Sequence, residues 1–300
     1  MEGIKFWKKK SAANSDLANM HKLGESKKML GMFEVVKELG RGSMGVVYLG
    51  RDPASSRDVA IKTITLVNES NAEVLRDAKS RFLREAKILT WLHHPDIVTI
   101  YDVGEDHNLA YIAMEFLTGV KLTVYTKTYS LLSLPKVLDI MARAADALGY
   151  AHEQNVVHRD VKPGNIMYDQ ANNSVKVIDF GISMLADLSA TQDNLVMGSP
   201  LYMSPEQVMD KQINGLSDLF SLGSSFYQLV SGHLPFEGDT DLEVMHRIVK
   251  ETHTDILSVR PDLPPCVCTI IDRALAKDVE NRYQSGHEMA DAIRHCAATL

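Results

Sequence analysis

A glycine-rich segment near the start of the patterned part of the chain has the spacing of a phosphate-binding turn. Residues 40–47 read GRGSMGVV and fit G-x-G-x-x-G-x-V, in which glycines let the backbone approach phosphate oxygens closely. A dinucleotide-binding turn carries similar glycines but leads into a helix, whereas here a strand-like run follows directly. The context excludes the dinucleotide fold, although the segment alone could also be a plain glycine-rich hairpin.

A lysine and a glutamate downstream could serve the same phosphates. Lys62 ends the run VAIK on the next strand, which brings one ammonium group within reach of phosphates beneath the hairpin. Glu85, in the following helical stretch, can form an ion pair that orients Lys62. Taken singly, a strand lysine is usually a solvated side chain, and Arg84 with Glu85 could be an ordinary surface pair. The interpretation therefore depends on the motifs that follow.

Three further motifs follow along the chain. They are HRDVKPGN at residues 158–165, DFG at residues 179–181 and SPE at residues 204–206. With the glycine-rich segment, the strand lysine and the helix glutamate, they make the chain resemble the protein kinase superfamily over roughly residues 33–297, and especially its eukaryotic-like bacterial Ser/Thr branch. The resemblance implies an α+β, bilobal protein kinase fold: a small antiparallel-sheet N-lobe with one main helix, and a larger helical C-lobe.

The resemblance also implies a role for each polar motif residue. The reaction is transfer of the γ-phosphoryl group of Mg-ATP to a hydroxyl of a protein substrate, which depends on positioning and on neutralising phosphate charge. Asp160 would orient or accept the proton of the attacking hydroxyl, and Lys162 would neutralise the γ-phosphate. Asn165 and Asp179 would supply oxygen ligands for Mg²⁺.

The nucleotide site implied by the resemblance lies under the glycine-rich segment. Lys62, braced by Glu85, would hold the α- and β-phosphates. Val47 and Ala60 would sandwich the adenine, backbone groups of the hinge would bind its edge, and Met114 would close the pocket behind it. The full set expected to bind ATP is Leu39, Gly40, Arg41, Gly42, Ser43, Met44, Gly45, Val47, Ala60, Lys62, Met114, Glu115 and Leu117.

Two structural contacts are implied in the same way. His158 looks like a general base, but the resemblance places it against Phe180 in a structural role, with Asp218 as the anchor beneath it. Glu206 should pair with Arg282 in a buried salt bridge. The apolar column that links the two lobes would consist of Leu89, Ile100, His158 and Phe180.

The acceptor is expected to be an aliphatic hydroxyl, because Lys162 within HRDVKPGN is the pattern of Ser/Thr kinases. Two other classes stay open: a pseudokinase scaffold, disfavoured because the catalytic residues are all present, and a small-molecule kinase, disfavoured by the SPE segment and Arg282. Residues 118–138 contain no acid, and Gln228 occupies the helix position where a glutamate would select arginine. Selection for arginine upstream of the target hydroxyl should therefore be weak.

The loop between DFG and SPE should carry a regulatory phosphate. Arg159 beside Asp160 resembles the kinases that are switched in this way, and a phosphate of about −1.5 to −2 charges could bind it bidentately. Thr191 is the expected autophosphorylation site, with Ser189 as the second. Ser199 replaces the usual threonine of the docking segment and keeps a hydroxyl. The alternative is an unmodified hydroxyl in a polar loop.

The elements that must position these residues change in character along the chain. Strand-like runs begin near Phe33 and surround one helical stretch at residues 71–92, which predicts a small antiparallel sheet with one helix. After Gly119 the periodicity is helical, so the second half is expected to be mainly helical. A ligand cleft is expected at the hinge between the two lobes. The predicted helices start near residues 135, 217, 242, 266 and 286.

Composition and charge narrow the class of protein. The chain has 300 residues, of which 45% are hydrophobic, and a net charge of −7. Residues 1–30 carry +4 and the remainder −11, which argues against nucleic acid as the main partner. Neither a membrane span nor a secretory signal is readable, so a cytoplasmic protein is expected. The three cysteines are expected to be reduced packing residues.

The domain organisation follows from these patterns. Residues 1–32 are expected to form a basic, flexible segment, and residues 33–297 a kinase catalytic domain. Within it the N-lobe would span residues 33–114, the hinge 115–119 and the C-lobe 120–297. The expected cofactors are ATP and Mg²⁺. The expected partners are protein substrates bearing Ser or Thr, with no nucleic acid and no membrane span, and a homodimer could serve autophosphorylation in trans.

Overall fold

The N-terminal part of the fold is a sheet that contains the glycine-rich segment. The computed structural model describes residues 28–42, 45–64, 80, 83–106, 109–180 and 200–300. Within these ranges the strands of this sheet are β1 (Met29–Leu30), β2 (Phe33–Gly42), β3 (Gly45–Arg51), β4 (Asp58–Ile64), β5 (Ile100–Asp106) and β6 (Leu109–Glu115). Their order is β1-β2-β3-β4-β6-β5, and neighbouring strands are antiparallel.

Strand β1 corrects the predicted boundary at residue 32. It pairs with β2 through Met29 opposite Glu34 and Leu30 opposite Phe33. Leu30 and Phe33 are both buried in the core of the sheet, and this burial holds the turn between them in place. The folded part therefore begins before residue 33, whereas residues 1–27 of the predicted flexible segment lie outside the described residues.

Strands β3 and β4 show the alternation that gives a sheet two distinct faces. Val46 and Tyr48 in β3 and Val59 in β4 are buried in a small core on one face. The side chain of Lys62 lies on the opposite face of the sheet. Gly45 begins β3 with φ +146°, and a Cβ at this residue would lie 1.9 Å from the carbonyl oxygen of Thr63. Only glycine permits this close approach of the hairpin to β4.

The helix predicted at residues 71–92 is described only at its end. Residues 83–88 are helical (α1), and a 3₁₀ turn, Leu89–Trp91, follows. Leu89 is buried, while Trp91 is exposed. Residues 65–79 and 81–82 lie outside the described residues.

A second, small sheet follows the hinge and was not predicted. Its strands are β7 (Val120–Lys121), β8 (Ile166–Asp169) and β9 (Ser174–Val177), in the order β7-β8-β9. A parallel bridge between Ile97 and Val177 connects this sheet to the segment before β5. These strands have at most four residues, too short for a clear alternating pattern within a stretch that is otherwise helical.

The C-terminal part of the fold is mainly helical, as predicted. One long helix, α4, is buried on nearly its whole surface and forms the centre of the C-lobe. None of the helices in the described ranges is long and apolar enough to span a membrane. The described helices after α1 are α2 (Leu134–Glu153), α3 (Pro205–Val208), α4 (Gly215–Ser231), α5 (Asp241–Lys250), α6 (Ile256–Val259), α7 (Pro265–Ala274) and α8 (Gly286–Ala298).

The cysteines differ from the expectation of three reduced side chains. Cys266 at the start of α7 and Cys296 near the end of α8 form a disulfide, with their Cα atoms 5.6 Å apart. Cys268 is a free thiol. The expectation was wrong for Cys266 and Cys296. They lie close together because two helices pack against each other, and the spacing of cysteines along the sequence does not reveal that packing.

Candidate active site

The loop at residues 158–165 holds its carboxylate between a cation and an amide. Lys162 Nζ donates to Asp160 Oδ1 at 2.8 Å. Asn165 Nδ2 donates to Asp160 Oδ2 at 2.9 Å and to the Asp160 carbonyl at 2.8 Å. A 3₁₀ turn, Pro163–Asn165, folds the chain back and makes these contacts local. The side chain of Asp160 remains 31% exposed, so a substrate hydroxyl can reach it.

Two residues of the site have an unusual backbone conformation. Arg159 has φ 67° and Asp179 has φ 61°, both in the left-handed region that residues with a side chain adopt rarely. Asp218, buried in α4, accepts hydrogen bonds from the backbone N–H groups of His158 and Arg159, each at 2.8 Å. His152 Nε2 lies 2.8 Å from the same carboxylate. The predicted anchoring role of Asp218 is thus confirmed, and it stabilises the strained residue before Asp160.

His158 has the structural role that was predicted. Its ring centroid lies 4.6 Å from that of Phe180. Its Nε2 donates to the carbonyl of Ile178 at 2.9 Å, and its Nδ1 accepts from the N–H of Asp160 at 3.2 Å. Because both ring nitrogens are engaged and the side chain is fully buried, His158 cannot act as a general base. The other members of the predicted column, Leu89 and Ile100, belong to the same buried core as Phe180.

Lys62 contacts Asp179 in this structure. Its Nζ donates to Asp179 Oδ1 at 2.8 Å, and both side chains are largely buried. Burial raises the pKa of the Asp179 carboxyl, but the Lys62 ammonium, with smaller contributions from Lys121 and His158, outweighs it and holds the pKa below its usual value. Asp179 is therefore an anion at neutral pH.

The expected ion pair between Lys62 and Glu85 is not found among the described residues. Glu85 lies in α1 and is half-buried. The carboxylate bound to Lys62 is that of Asp179, which approaches the ammonium from the other lobe. An ammonium group has three N–H donors, so the contact with Asp179 leaves room for a second carboxylate, and the bracing role of Glu85 stays a prediction.

Four of the residues expected to bind ATP share one face of the first sheet. Val47 lies opposite Lys62, and Ala60 lies opposite Met114, so these side chains are neighbours across three strands. Met114 is buried, and Glu115 with the half-buried Leu117 continues into the hinge. In the glycine-rich segment, Leu39, Gly40, Arg41 and Gly42 are exposed at the tip of the hairpin, Gly45 opens β3, and Ser43 and Met44 lie outside the described residues.

The donor set near Asp160 fits a magnesium ion that is bound together with phosphates. Asp179 offers a carboxylate. The side-chain nitrogen of Asn165 donates to Asp160, so the side-chain oxygen of Asn165 remains available to a metal ion. Within the described ranges, no group of three or more His, Cys, Asp or Glu side chains could hold a metal by itself. This agrees with Mg²⁺ chemistry, since that ion is commonly held by one or two protein oxygens plus phosphate oxygens and water.

The structure adds a contact at the hinge that the sequence did not indicate. Lys176 Nζ in β9 donates to Glu115 Oε2 at 2.8 Å and to the carbonyl of Ile97 at 3.3 Å. Thr99 N–H donates to the same glutamate oxygen at 3.3 Å. The hinge is thereby tied to the strand that leads to Asp179. The two partners are 61 residues apart, and neither lies in a motif that could have revealed the pair.

A salt bridge supports the segment that follows the DFG loop. Arg282 makes two parallel hydrogen bonds to Glu206, at 2.7 and 3.0 Å, and is itself fully buried. The predicted buried salt bridge is confirmed. Burial raises the pKa of Glu206, but hydrogen bonds from Arg282 and Ser217 outweigh this and hold the pKa below its usual value.

The substrate side of the site contains a neutral hydrogen bond. Tyr202 OH donates to Gln228 Oε1 at 2.6 Å. Burial raises the pKa of Tyr202 to about 12, so this hydroxyl stays protonated. Gln207 Nε2 donates to the carbonyl of Arg159 at 2.8 Å and connects α3 to the catalytic loop. Thr191, Ser189 and Ser199 lie outside the described residues, and the phosphorylation sites stay predictions.

Comparison with known proteins agrees with this geometry. Residues 33–295 match the family described as Protein kinase domain. The chain is 39% identical over 272 residues to serine/threonine-protein kinase PknB of Mycolicibacterium smegmatis, covering 87% of this chain and 42% of that protein. It is 35% identical over 269 residues to PrkC of Bacillus subtilis, covering 89% of this chain and 41% of that one.

A solved structure supports the same assignment. The crystal structure of the Mycobacterium tuberculosis PknI kinase domain is 27% identical, with a TM-score of 0.72, and the match covers 90% of this chain and 98% of that one. The chain therefore belongs to the protein kinase family, and the bilobal α+β fold predicted from the motifs is confirmed. It spans about two fifths of the length of the curated relatives that it matches.

Proposed function

We propose that this chain is a Ser/Thr protein kinase that transfers the γ-phosphoryl group of Mg-ATP to hydroxyls of protein substrates in the cytoplasm. The observation that carries the proposal is the arrangement of Asp160, which is held by Lys162 and Asn165. The hydrogen bond from the Ile178 N–H to the Asn165 carbonyl joins this loop to the segment that bears Asp179 and its partner Lys62. Relatives with matching sequences are named Ser/Thr kinases.

The chemistry follows from what each side chain can do. The Asp160 carboxylate, whose oxygens can each accept a second hydrogen bond, accepts one from the substrate hydroxyl and orients it for attack. Lys162, already 2.8 Å from Asp160, is placed to neutralise charge on the transferred phosphoryl group. Lys62 binds the α- and β-phosphates. Asn165 and Asp179 would hold Mg²⁺, which would neutralise charge on the phosphate oxygens.

A protein acceptor is favoured over a small molecule by the braced docking segment. The buried Glu206–Arg282 pair fixes the start of α3 next to the catalytic loop, and Gln207 links α3 to the carbonyl of Arg159. A surface that is fixed in this way next to the catalytic loop has no role for a small acceptor, because such an acceptor binds inside the cleft. A pseudokinase is disfavoured because the polar groups needed for transfer are present and mutually oriented.

The direct test measures phosphate incorporation from labelled ATP into a generic protein acceptor. Wild type should be active with Mg²⁺ and inactive after chelation. Asp160→Asn should lower the rate by on the order of 100-fold or more. Asp139→Asn, an exposed carboxylate in α2, is the matched control and should behave as wild type. Transfer only to aminoglycoside or sugar acceptors would assign a small-molecule kinase, and no transfer to either kind would assign a pseudokinase.

A further inference from the structure

The segment that follows the hinge combines exposure with an absence of negative charge. Residues 118–138 contain no Asp or Glu, although the whole chain carries a net charge of −7. Lys121 and Lys127 in this segment are exposed. An acid-free stretch on an acidic protein is a local positive region, and such a region influences which charged ligands approach.

Strand β7 places Lys121 beside the catalytic loop. It pairs antiparallel with β8, with Lys121 opposite Met167, and Asn165 directly precedes β8. Just beyond Lys121, Thr123 Cγ2 lies 3.7 Å from the position that a Cβ on Gly164 would occupy. The segment thus packs against residues 163–165.

No ion pair within the described ranges includes Lys121. The acids near the hinge are engaged elsewhere: Glu115 pairs with Lys176, and Asp169 accepts hydrogen bonds from Thr118 at 2.7 Å and Asn172 at 3.0 Å. Across the cleft, Gln228 is neutral and is bound to Tyr202. A substrate segment that enters here meets a cation that forms no salt bridge with the described residues.

We propose that Lys121 is a specificity-determining residue that selects an acidic side chain, Asp or Glu, in the substrate segment upstream of the target hydroxyl. This inference rests on the proposed kinase function. It goes beyond weak selection for arginine, because a free cation beside the cleft attracts a carboxylate as well as repelling a guanidinium. Lys121 lies just after the hinge, the position where an acid would instead select arginine.

The test compares wild type and Lys121→Glu on a peptide library with one central Ser or Thr. Wild type should prefer Asp or Glu at an upstream position, with KM about fivefold lower than for the neutral peptide, the size expected of an exposed ion pair. Lys121→Glu should reverse the preference towards Arg and Lys, measured within each enzyme as the ratio of KM for the charged and the neutral peptide. The preference should weaken as salt rises.

Lys211→Glu is the control, because Lys211 is exposed beyond α3 and the substitution makes the same change in net charge. It should retain the wild-type preference. Unchanged upstream selection in Lys121→Glu would overturn the proposal, as would a change confined to KM for ATP, which would assign Lys121 to the nucleotide.

A binding measurement separates this proposal from the proposed function. Fluorescence anisotropy of labelled acidic and neutral serine peptides needs no turnover. If the library showed no phosphorylation at all, the kinase function would fail. Tighter binding of the acidic peptide to wild type than to Lys121→Glu would still support the subsite, and equal binding would overturn it.

Discussion

At the scale of single residues, the site works by pairing each charge with one defined neighbour. Asp160 is held by Lys162 and Asn165, and Asp179 by Lys62. These contacts restrict the carboxylates to a few orientations before any substrate binds. Preorganised charges of this kind stabilise a transition state more effectively than mobile ones, because little reorganisation is needed during the reaction.

Asp179→Asn tests the role of one of these charges. The amide keeps the shape of the side chain but removes the negative charge, so Mg-dependent transfer should fall by on the order of 100-fold or more. The thermal midpoint should change little, since the side-chain oxygen of the asparagine can still accept the hydrogen bond from Lys62. Steady-state rates across a Mg²⁺ titration, with a melting curve for each protein, provide the measurement. Near-wild-type turnover with normal ATP binding would show that the metal assignment is wrong.

At the scale of elements, the polar groups of the site lie next to the ends of short strands, and long helices support these strands. Strand β8 begins directly after Asn165, and β9 ends shortly before Asp179. The hydrogen bond from the Ile178 N–H to the Asn165 carbonyl, 2.9 Å long, joins these two stretches. The contact between Glu115 and Lys176 extends the same unit to the hinge, so the hinge and the segment that bears Asp179 are joined by direct contacts.

The contact between Glu115 and Lys176 at the hinge should affect the affinity for ATP. Glu115→Gln removes the charge that holds Lys176, and KM for ATP should rise about fivefold, with a smaller change in kcat. The exchanged pair Glu115→Lys with Lys176→Glu should recover part of the loss, because opposite charges again face each other. Steady-state kinetics with ATP as the varied substrate make this measurement. A lower melting temperature with an unchanged KM would indicate a purely structural role.

The Glu206–Arg282 pair should dominate the acid sensitivity of the C-lobe. Glu206→Gln leaves a fully buried guanidinium without its counter-charge, which should cost about 3–5 kcal/mol of the free energy of unfolding. Because the folded-state pKa of Glu206 is depressed, its contribution is present above the usual glutamate pKa and is lost as pH falls through the folded value. The variant should therefore lose less stability on acidification than wild type.

Urea denaturation at several pH values provides the measurement. The control is Asp262→Asn, which breaks the exposed Arg260–Asp262 pair and should change the free energy of unfolding much less. Equal effects of the two substitutions would contradict the assignment of Glu206 as a buried brace.

At the scale of the whole molecule, the sequence predicted the long helices and the residues within local motifs. It did not predict the contacts that depend on how separate elements pack. The helices of the C-lobe have strong periodicity over ten residues or more, and their predicted starts agree with the structure. The motif residues Asp160, Asn165 and Asp179 could be named because the order of the motifs is specific. The second sheet was missed because its strands are too short to show a period.

The contacts that were missed join residues far apart in the chain. The Cys266–Cys296 disulfide spans 30 residues, and Glu115 with Lys176 spans 61. Such pairs depend on how two finished elements pack, which a single sequence does not display. The partner of Lys62 is a similar case: the sequence indicated Glu85, on the next helix, whereas the structure brings Asp179 from the other lobe.

Activation should involve two copies of the chain and a phosphate on the loop after DFG. Arg159 is exposed, and its backbone is held by Asp218 on one side and by Gln207 on the other, so its guanidinium can bind a phosphate without refolding the catalytic loop. Incubation with Mg-ATP should place phosphate on Thr191 and, to a lesser degree, on Ser189.

Mass spectrometry after this incubation identifies the sites, and kinetics of Thr191→Ala and Ser189→Ala measure their effect on activity. Thr191→Ala should lower kcat towards an added protein substrate more than Ser189→Ala does, and Arg159→Ala should remove the difference between phosphorylated and unphosphorylated enzyme. If one copy modifies another, the initial rate of incorporation per molecule should increase with protein concentration, because the step is bimolecular. Unmodified loop residues in a fully active enzyme would contradict the phosphate switch, and a rate per molecule independent of concentration would contradict transfer in trans.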